Sequence, residues 1–293
     1  MPFSKPLLVI IVFFLASFTV AQDYVQSIEE WRRRRVERLT QPDGWLSLIG
    51  LFWLEGQENT VGSDAANDIR FPADRADASL GVITVADGVV TMTVNAGADV
   101  RCNGEPVTGI VLETDKTGAP TVLTHRTLMW HIIDRDGRLG VRLKDSQSER
   151  LRQFAGIDCF PIDEKWAVEA RFEPADSAKR IAVTNVMGKV TQEPSPGTLV
   201  FTIDGAEYRL DTLEGGDQYF VVFGDRTNGE ESYGGGRFLY VDGADDAGRT
   251  IIDFNKAYNP PCAFTPFATC PLPPRQNILP ISVTAGEKTY GRH

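Results

Sequence analysis

Four dipeptides constrain this chain more than any other feature: Asp87-Gly88, Asn103-Gly104, Asp136-Gly137 and Asp204-Gly205. Each lies between short runs of apolar and β-branched residues. Asn, Asp and above all Gly accept the positive φ that a two-residue hairpin turn demands, so each pair predicts two antiparallel strands joined by a tight turn. Val82–Val85 and Val89–Val94 flank the first pair, and Leu199–Ile203 and Ala206–Leu210 flank the fourth. Tyr219–Phe223, Arg237–Val241 and Thr250–Asn255 read as further strands. With no helical periodicity between them, these strands predict a mainly β fold: an antiparallel β sandwich followed by a second β sandwich or barrel lobe.

Only residues 23–39 carry a helical pattern. Asp23 or Ser27 can cap it, and Ile28, Trp31 and Leu39 fall roughly on one face. Arg32–Arg35 within it reads as a solvated helix face rather than a binding patch. The expected organisation is an export signal at 1–21, the helix within 22–43, an N-terminal β domain over 44–170 and a C-terminal β domain over 171–293. The boundary rests on Asp176–Gly197, a stretch bounded by Pro174, Pro194 and Pro196.

Residues 1–21 have the parts of a cleaved signal: Lys5, an apolar run from Leu7 to Val20, and small residues at Thr19 and Ala21 that place cleavage before Gln22. The expected location is therefore extracytoplasmic, periplasmic or secreted, with no membrane association beyond the signal. Removing Lys5 with the signal leaves 29 basic residues against 40 acidic, a net charge of −11. That balance argues against nucleic acid as a partner.

Asp253–Asn277 is the most unusual segment. Its six prolines rule out a regular helix or a central strand, because each removes a backbone donor and fixes φ. A long loop of that kind must be held by side-chain contacts. Cys262 and Cys270 within it either form a disulfide staple, which export permits, or remain buried thiols. Cys102 and Cys159 complete the four cysteines. The absence of a CxxC pair disfavours a structural zinc.

No GxSxG elbow, Walker A or GxGxxG spacing is present. His125 and His131, if carried on one strand, would stand about 20 Å apart, too far to chelate one metal. What remains is a set of carboxylates and amides. Asp225, Tyr233 and Arg237 lie in one turn-rich segment, and Asp253 lies near the end of the next predicted strand. If those strands are neighbours, Asp225 and Asp253 can converge as an acid–base pair, with Tyr233 and Arg237 as partners. Thr227, Asn255, Tyr258, Asn259, Arg275 and Asn277 are the accompanying candidates for binding a small molecule. The same oxygens suit a cation such as Ca²⁺, and no other cofactor is indicated. They equally suit an internal hydrogen-bond network that fixes long loops. Gly234-Gly235-Gly236 either admits a ligand to the backbone or permits an unusual turn. Trp45, Phe52 and Trp53 read as core, with an apolar pocket floor as the alternative.

Two resemblances add to this. FGDRTNGEESYGGGRFLYVD (Phe223–Asp242), IDFNKAYNPPCAFTPFATCPLPPRQN (Ile252–Asn277) and AGEK (Ala285–Lys288) closely resemble the family catalogued as domain of unknown function 1684. Gly44–Ser63 and Arg152–Asp163 look like the same family. The resemblance implies a shared architecture and transfers no residue role. Asn59–Pro72 and Val100–Val107 are similar to a forkhead-associated β sandwich, which implies fold only. Ser63 stands where that family has its phosphate-reading Arg, and its Ser-x-x-His near Gly81 is missing. The reading is thus an exported protein with a small-molecule site in its C-terminal lobe, hydrolase-like or purely binding. The alternative is a non-catalytic envelope module whose signature residues stabilise the fold.

Overall fold

The computed structural model describes residues 7–291, with side chains from Gln22 onward. The expected export signal at 1–21 lies outside the residues whose side chains are described. Among the described residues, no helix is long and apolar enough to cross a membrane.

Among the described residues the chain is mainly β and forms two compact units: Arg38–Ala155 with Thr265–Ala268, and Gly156–Phe264 with 269–291 and 7–37. All four predicted hairpin turns form as read. Asp87, Asn103, Asp136 and Asp204 have φ of 50°, 51°, 55° and 50°, and the glycine after each is also positive. Both central residues are therefore left-handed, which matches the twist of the strands that they join.

In the N-terminal unit, a six-stranded sheet has Leu48–Trp53, Arg138–Asp145, Leu128–Arg135 and Leu123–His125 as successive neighbours, ending in the short pair Arg101–Cys102 and Glu105–Pro106. A five-stranded sheet runs Ile69–Arg70, Glu58–Gly62, Gly81–Ala86, Val89–Val94, Gly109–Val111. All strand pairings within these two sheets are antiparallel except Glu58–Gly62 with Ile69–Arg70. One apolar cluster takes Val61, Ile83 and Met92 from the second sheet and Trp130, Ile132, Val141 and Leu143 from the first, closing a two-sheet sandwich. Each such side chain contributes about 1.5–3 kcal/mol by leaving water.

The C-terminal unit holds a four-stranded antiparallel sheet in the order Ala206–Asp211, Gly197–Ile203, Ala167–Pro174, Arg249–Asp253. It also holds a three-stranded sheet, Leu213–Gly215, Gln218–Phe223, Arg237–Asp242. Phe201, Phe223, Leu239, Ile252 and Phe254 fill its core. The division falls at 155/156 rather than at 170, because Ala167–Pro174 pairs on one side with Gly197–Ile203 and on the other with Arg249–Asp253. Asp176–Gly197 is no linker: Arg180–Thr184 and Val190–Pro194 make a hairpin inside this unit.

The helix runs Leu7–Leu39 and groups through Glu37 with the C-terminal unit. Arg33 and Arg34 face solvent and pair with Glu37 and Glu30. The expectation of a wholly solvated Arg32–Arg35 face fails for two of the four. Arg32 donates to the Phe160 carbonyl, and Arg35 is buried. Arg35 stands seven residues after Ile28 and four before Leu39, on the stripe that turns inward.

Candidate functional site

Asp225 follows the strand Gln218–Phe223, and Arg237 opens the antiparallel neighbour that pairs Phe223 with Arg237. The intervening turn folds back because Asp225 Oδ1 accepts the Thr227 amide at 2.8 Å and its hydroxyl at 2.7 Å, an Asx turn. The same oxygen accepts the Val283 amide at 3.3 Å. Arg237 Nη2 donates to Asp225 Oδ2 at 2.6 Å and to the Val283 carbonyl at 2.8 Å, and Nη1 donates to the Ala285 carbonyl. Both side chains are fully buried, with the Arg237 guanidinium over Phe223 and Phe160. Burial pulls the Arg237 pKa down against the Asp225 charge, which holds it up. Asn228 closes the turn by donating to Ser232 Oγ at 3.1 Å and to the Tyr233 carbonyl at 2.7 Å, and Thr227 Oγ1 lies 2.7 Å from Ser232 Oγ. Each charge thus meets an opposite charge and fixed dipoles, which is what a buried pair requires, and of these groups only Arg237 Nε is left buried without a partner among the described residues.

Asp253 ends its strand at the far edge of the four-stranded sheet. The predicted strand to Asn255 stops here instead, because Asp253 Oδ1 accepts the Asn255 amide at 3.1 Å and caps a 3₁₀ turn over Phe254–Lys256. The same oxygen accepts the Tyr24 hydroxyl at 3.0 Å. Asn255, fully buried, donates to Tyr24 Oη and to the Asp163 carbonyl, each at 2.9 Å, while its Oδ1 accepts the Asp163 amide at 3.2 Å. Lys256 Nζ lies 3.5 Å from Asp253 Oδ2 and is partly exposed. Burial, reinforced by the Asp253 carboxylate, pushes the Tyr24 phenol far above its ordinary value. The two aspartates therefore share no hydrogen-bond partner; each has its own turn and its own counter-charge.

Asn259 belongs to a third network. Glu287, in the closing AGEK, accepts the Asn259 amide at 2.7 Å through Oε2 and Arg35 Nε at 3.1 Å through Oε1. Arg35 Nη2 also donates to the Asn259 carbonyl at 2.9 Å and lies over the Tyr258 ring. Burial pushes the Glu287 carboxyl up, while Arg35 and the amide pull against it. Tyr258 is raised by burial and then by neighbouring Tyr240. Asn259 Nδ2 donates to the Lys288 carbonyl at 2.7 Å.

Asn277 imitates a strand backbone: its amide oxygen accepts the Asp211 N–H at 2.8 Å, and its nitrogen donates to the Asp211 and Val222 carbonyls. Arg275 points to solvent on the preceding 3₁₀ turn. Cys262 and Cys270 are joined by a disulfide, their Cα atoms 6.2 Å apart, so the staple and not the free thiols is what forms. The second and third glycines of the run are packing requirements, whereas a Cβ on Gly234 would make only ordinary contact. A Cβ on Gly235 would strike the Tyr233 ring at 2.6 Å, and one on Gly236 (φ +83°) would meet Pro273 Cγ at 2.3 Å. Tyr233 is half-buried, and burial raises its pKa.

Chemically, the Asp225 carboxylate is saturated and has no face for a substrate. Asp253 is 8% exposed and keeps one oxygen toward Lys256. A concavity of about 760 Å³ over the four-stranded sheet, lined by Val168, Val200, Phe201, Arg249 and Ile251 among others, contains none of the signature residues. Among the described residues, no three His, Cys, Asp or Glu side chains group to hold a metal ion. His125 and His131 are not on one strand. A turn at Arg126 (φ 55°) pairs His125 with Leu128 and sends His131 to the opposite sheet face. Tyr24, Arg35 and Glu287 were missed by sequence reasoning. Arg35 alone left a signal, its place on the buried helix stripe.

Residues 152–288 match the family model described as a protein of unknown function (DUF1684), and this C-terminal part of the chain belongs to that family. The motif at Gly44–Ser63 lies outside the matched span. The chain is similar, at 31% identity, to an uncharacterized protein of Haloarcula marismortui whose structure was determined in solution by NMR. That match covers 50% of this chain and 82% of the other, with a TM-score of 0.41. Among curated proteins nothing matches.

Proposed function

We propose that the protein is an exported, non-catalytic envelope module in which the family signature is a self-locking framework. The observation that carries this is the Asp225–Arg237 pair. Both side chains are wholly buried, and both carboxylate oxygens are engaged by groups of the same unit. A catalytic carboxylate needs an open face and a pKa matched to its task, and Asp225 has no such face. Asn255, Asn259 and Asn277 support the reading, since each donates its side-chain NH2 to a backbone carbonyl of its own unit, although Asn259 Oδ1 is buried without a partner among the described residues. Export rests on the Lys5–Ala21 pattern. The forkhead-like sandwich is carried with it as a proposal on fold alone; Ser63 there donates to the Ala76 carbonyl.

A second reading places a small-molecule site, hydrolase-like or binding, at Asp253. It is favoured by the partial exposure of Lys256 beside a carboxylate that also holds the Tyr24 phenol. Asp253→Asn separates the two. The framework reading expects a lower melting temperature, with no metabolite or divalent cation in a thermal-shift screen stabilising the parent selectively over the variant. A ligand that stabilises the parent and loses that effect in a variant of unchanged melting temperature would establish the second reading.

A further inference from the structure

On one face of the six-stranded sheet in the N-terminal unit, Arg138, Arg142 and Lys144 form no ion pair among the described residues; Asp115 and Asp43 act on Arg142 and Lys144 from beyond ion-pair distance. On the strand Arg138–Asp145, the residues facing away from the apolar core are Arg138, Gly140, Arg142 and Lys144. Register places His131 and Leu51 directly opposite Arg142, on its two neighbouring strands, and Met129 opposite Lys144. Arg142 is 7% exposed. Its Nε is buried without a partner, and among the described residues it has neither a carboxylate nor a hydrogen bond. Its one contact of note is with the Trp45 ring, 5.2 Å from centroid to guanidinium carbon. Among the described residues, Lys144 Nζ donates to the Asp43 carbonyl alone, with the Asp43 charge acting on it from farther away. Arg138 lies over Trp53 at 4.3 Å. The nearby carboxylate, Asp115, is already committed to a two-point bond with Arg135.

An unpaired guanidinium at that depth is costly, because the water it gives up is not replaced by an acceptor. Burial and then the repulsion of Arg135 draw the Arg142 pKa down to about 10, and His131 is held neutral by burial beside Arg142 and Lys144. We propose that this face is a binding site for an organic carboxylate, with the Arg142 fork as the principal donor and Lys144 as the flanking cation. The planar guanidinium matches a carboxylate through two parallel N–H bonds. Leu51, Met129 and Trp45, all partly buried around it, supply contact for an apolar body next to the acid group. A carboxylate with an apolar body is favoured over phosphate because Trp45, Leu51 and Met129 stand around the guanidinium, and a strongly hydrated dianion gains nothing from contact with them. The site is independent of the signature framework.

Sodium benzoate serves as the probe, titrated into the full chain at an ionic strength held constant with sodium chloride, and followed by calorimetry and tryptophan fluorescence. The expected result is saturable binding with altered tryptophan emission, and weaker binding of inorganic phosphate. Arg142→Met should weaken benzoate binding by about tenfold or more. It should also leave the melting temperature of the ligand-free protein unchanged or higher, whereas loss of a structurally paired arginine lowers it. Lys144→Met should weaken binding with the fold retained. The proposal is overturned by the absence of saturable benzoate binding, by phosphate binding more tightly than benzoate, by either variant binding like the parent, or by collapse of Arg142→Met.

Discussion

Asp225→Asn changes one atom and tests the framework directly. In the parent, Oδ2 takes Arg237 Nη2 at 2.6 Å, and Oδ1 takes three donors from Thr227 and Val283. The amide can keep the Oδ1 bonds but turns a donor toward the guanidinium, leaving a fully buried charge uncompensated. Breaking one side of such a pair costs about 3–5 kcal/mol. For a chain of this size, that corresponds to a drop of roughly 6–20 °C in melting temperature. Arg237→Met carries its own penalty, since the Val283 and Ala285 carbonyls lose their donor. The double variant Asp225→Asn/Arg237→Met should be less destabilised than the sum of the two single variants, by on the order of 1–3 kcal/mol. Circular dichroism melts and urea titrations of the four proteins measure this. A single variant melting within about 1 °C of the parent would refute the reasoning, because it would mean that the charge is solvated or dispensable.

Other expectations follow from the same structure. Without reduction, two cysteines (Cys102 and Cys159) should be alkylated and seen by intact mass, and four after reduction. Replacing Cys262 and Cys270 by Ala removes a short loop closure worth about 2–3 kcal/mol, visible as a lower urea midpoint with an unchanged slope. His131 is drawn from its ordinary 6.5 down to about 4 by burial and then by Arg142 and Lys144. Between those values the unfolded chain binds a proton there that the folded chain does not, so stability falls as pH drops through that window. His131→Gln should flatten that part of the acid limb, and an imidazole NMR titration of His131 should give a midpoint near 4.

Local chemistry was legible in the sequence. The Asp-Gly and Asn-Gly pairs announced the hairpins because the turn is decided within two residues. Asp225-x-Thr227 and Asp253-x-Asn255 also close Asx turns, yet the second reads as strand through Asn255 from sequence, because Asp-x-Asn spacing suits an extended segment as well as a turn. What spacing does not show is the occupant of the remaining carboxylate oxygen, which tertiary structure decides. Arg35 and Glu287 are 252 positions apart, and neither carries a local sign of the other. The Arg126 turn escaped notice because it contains no Gly, Pro, Asn or Asp. Asp253 and Asp225 looked like one site since both end strands, yet strand order put them on different sheets of the unit.

Native-state hydrogen exchange in low urea asks the central question most directly: whether the signature segments open apart from the fold. The amides of Thr227, Asn259 and Val283 are held by Asp225 and Glu287 carboxylates. In a self-locking framework these amides exchange only with global unfolding, with the same urea dependence as amides of the Ala167–Pro174 strand. Exchange through a local opening, urea-independent and well below the global free energy, would contradict the account and mark the segments as mobile parts of a working site.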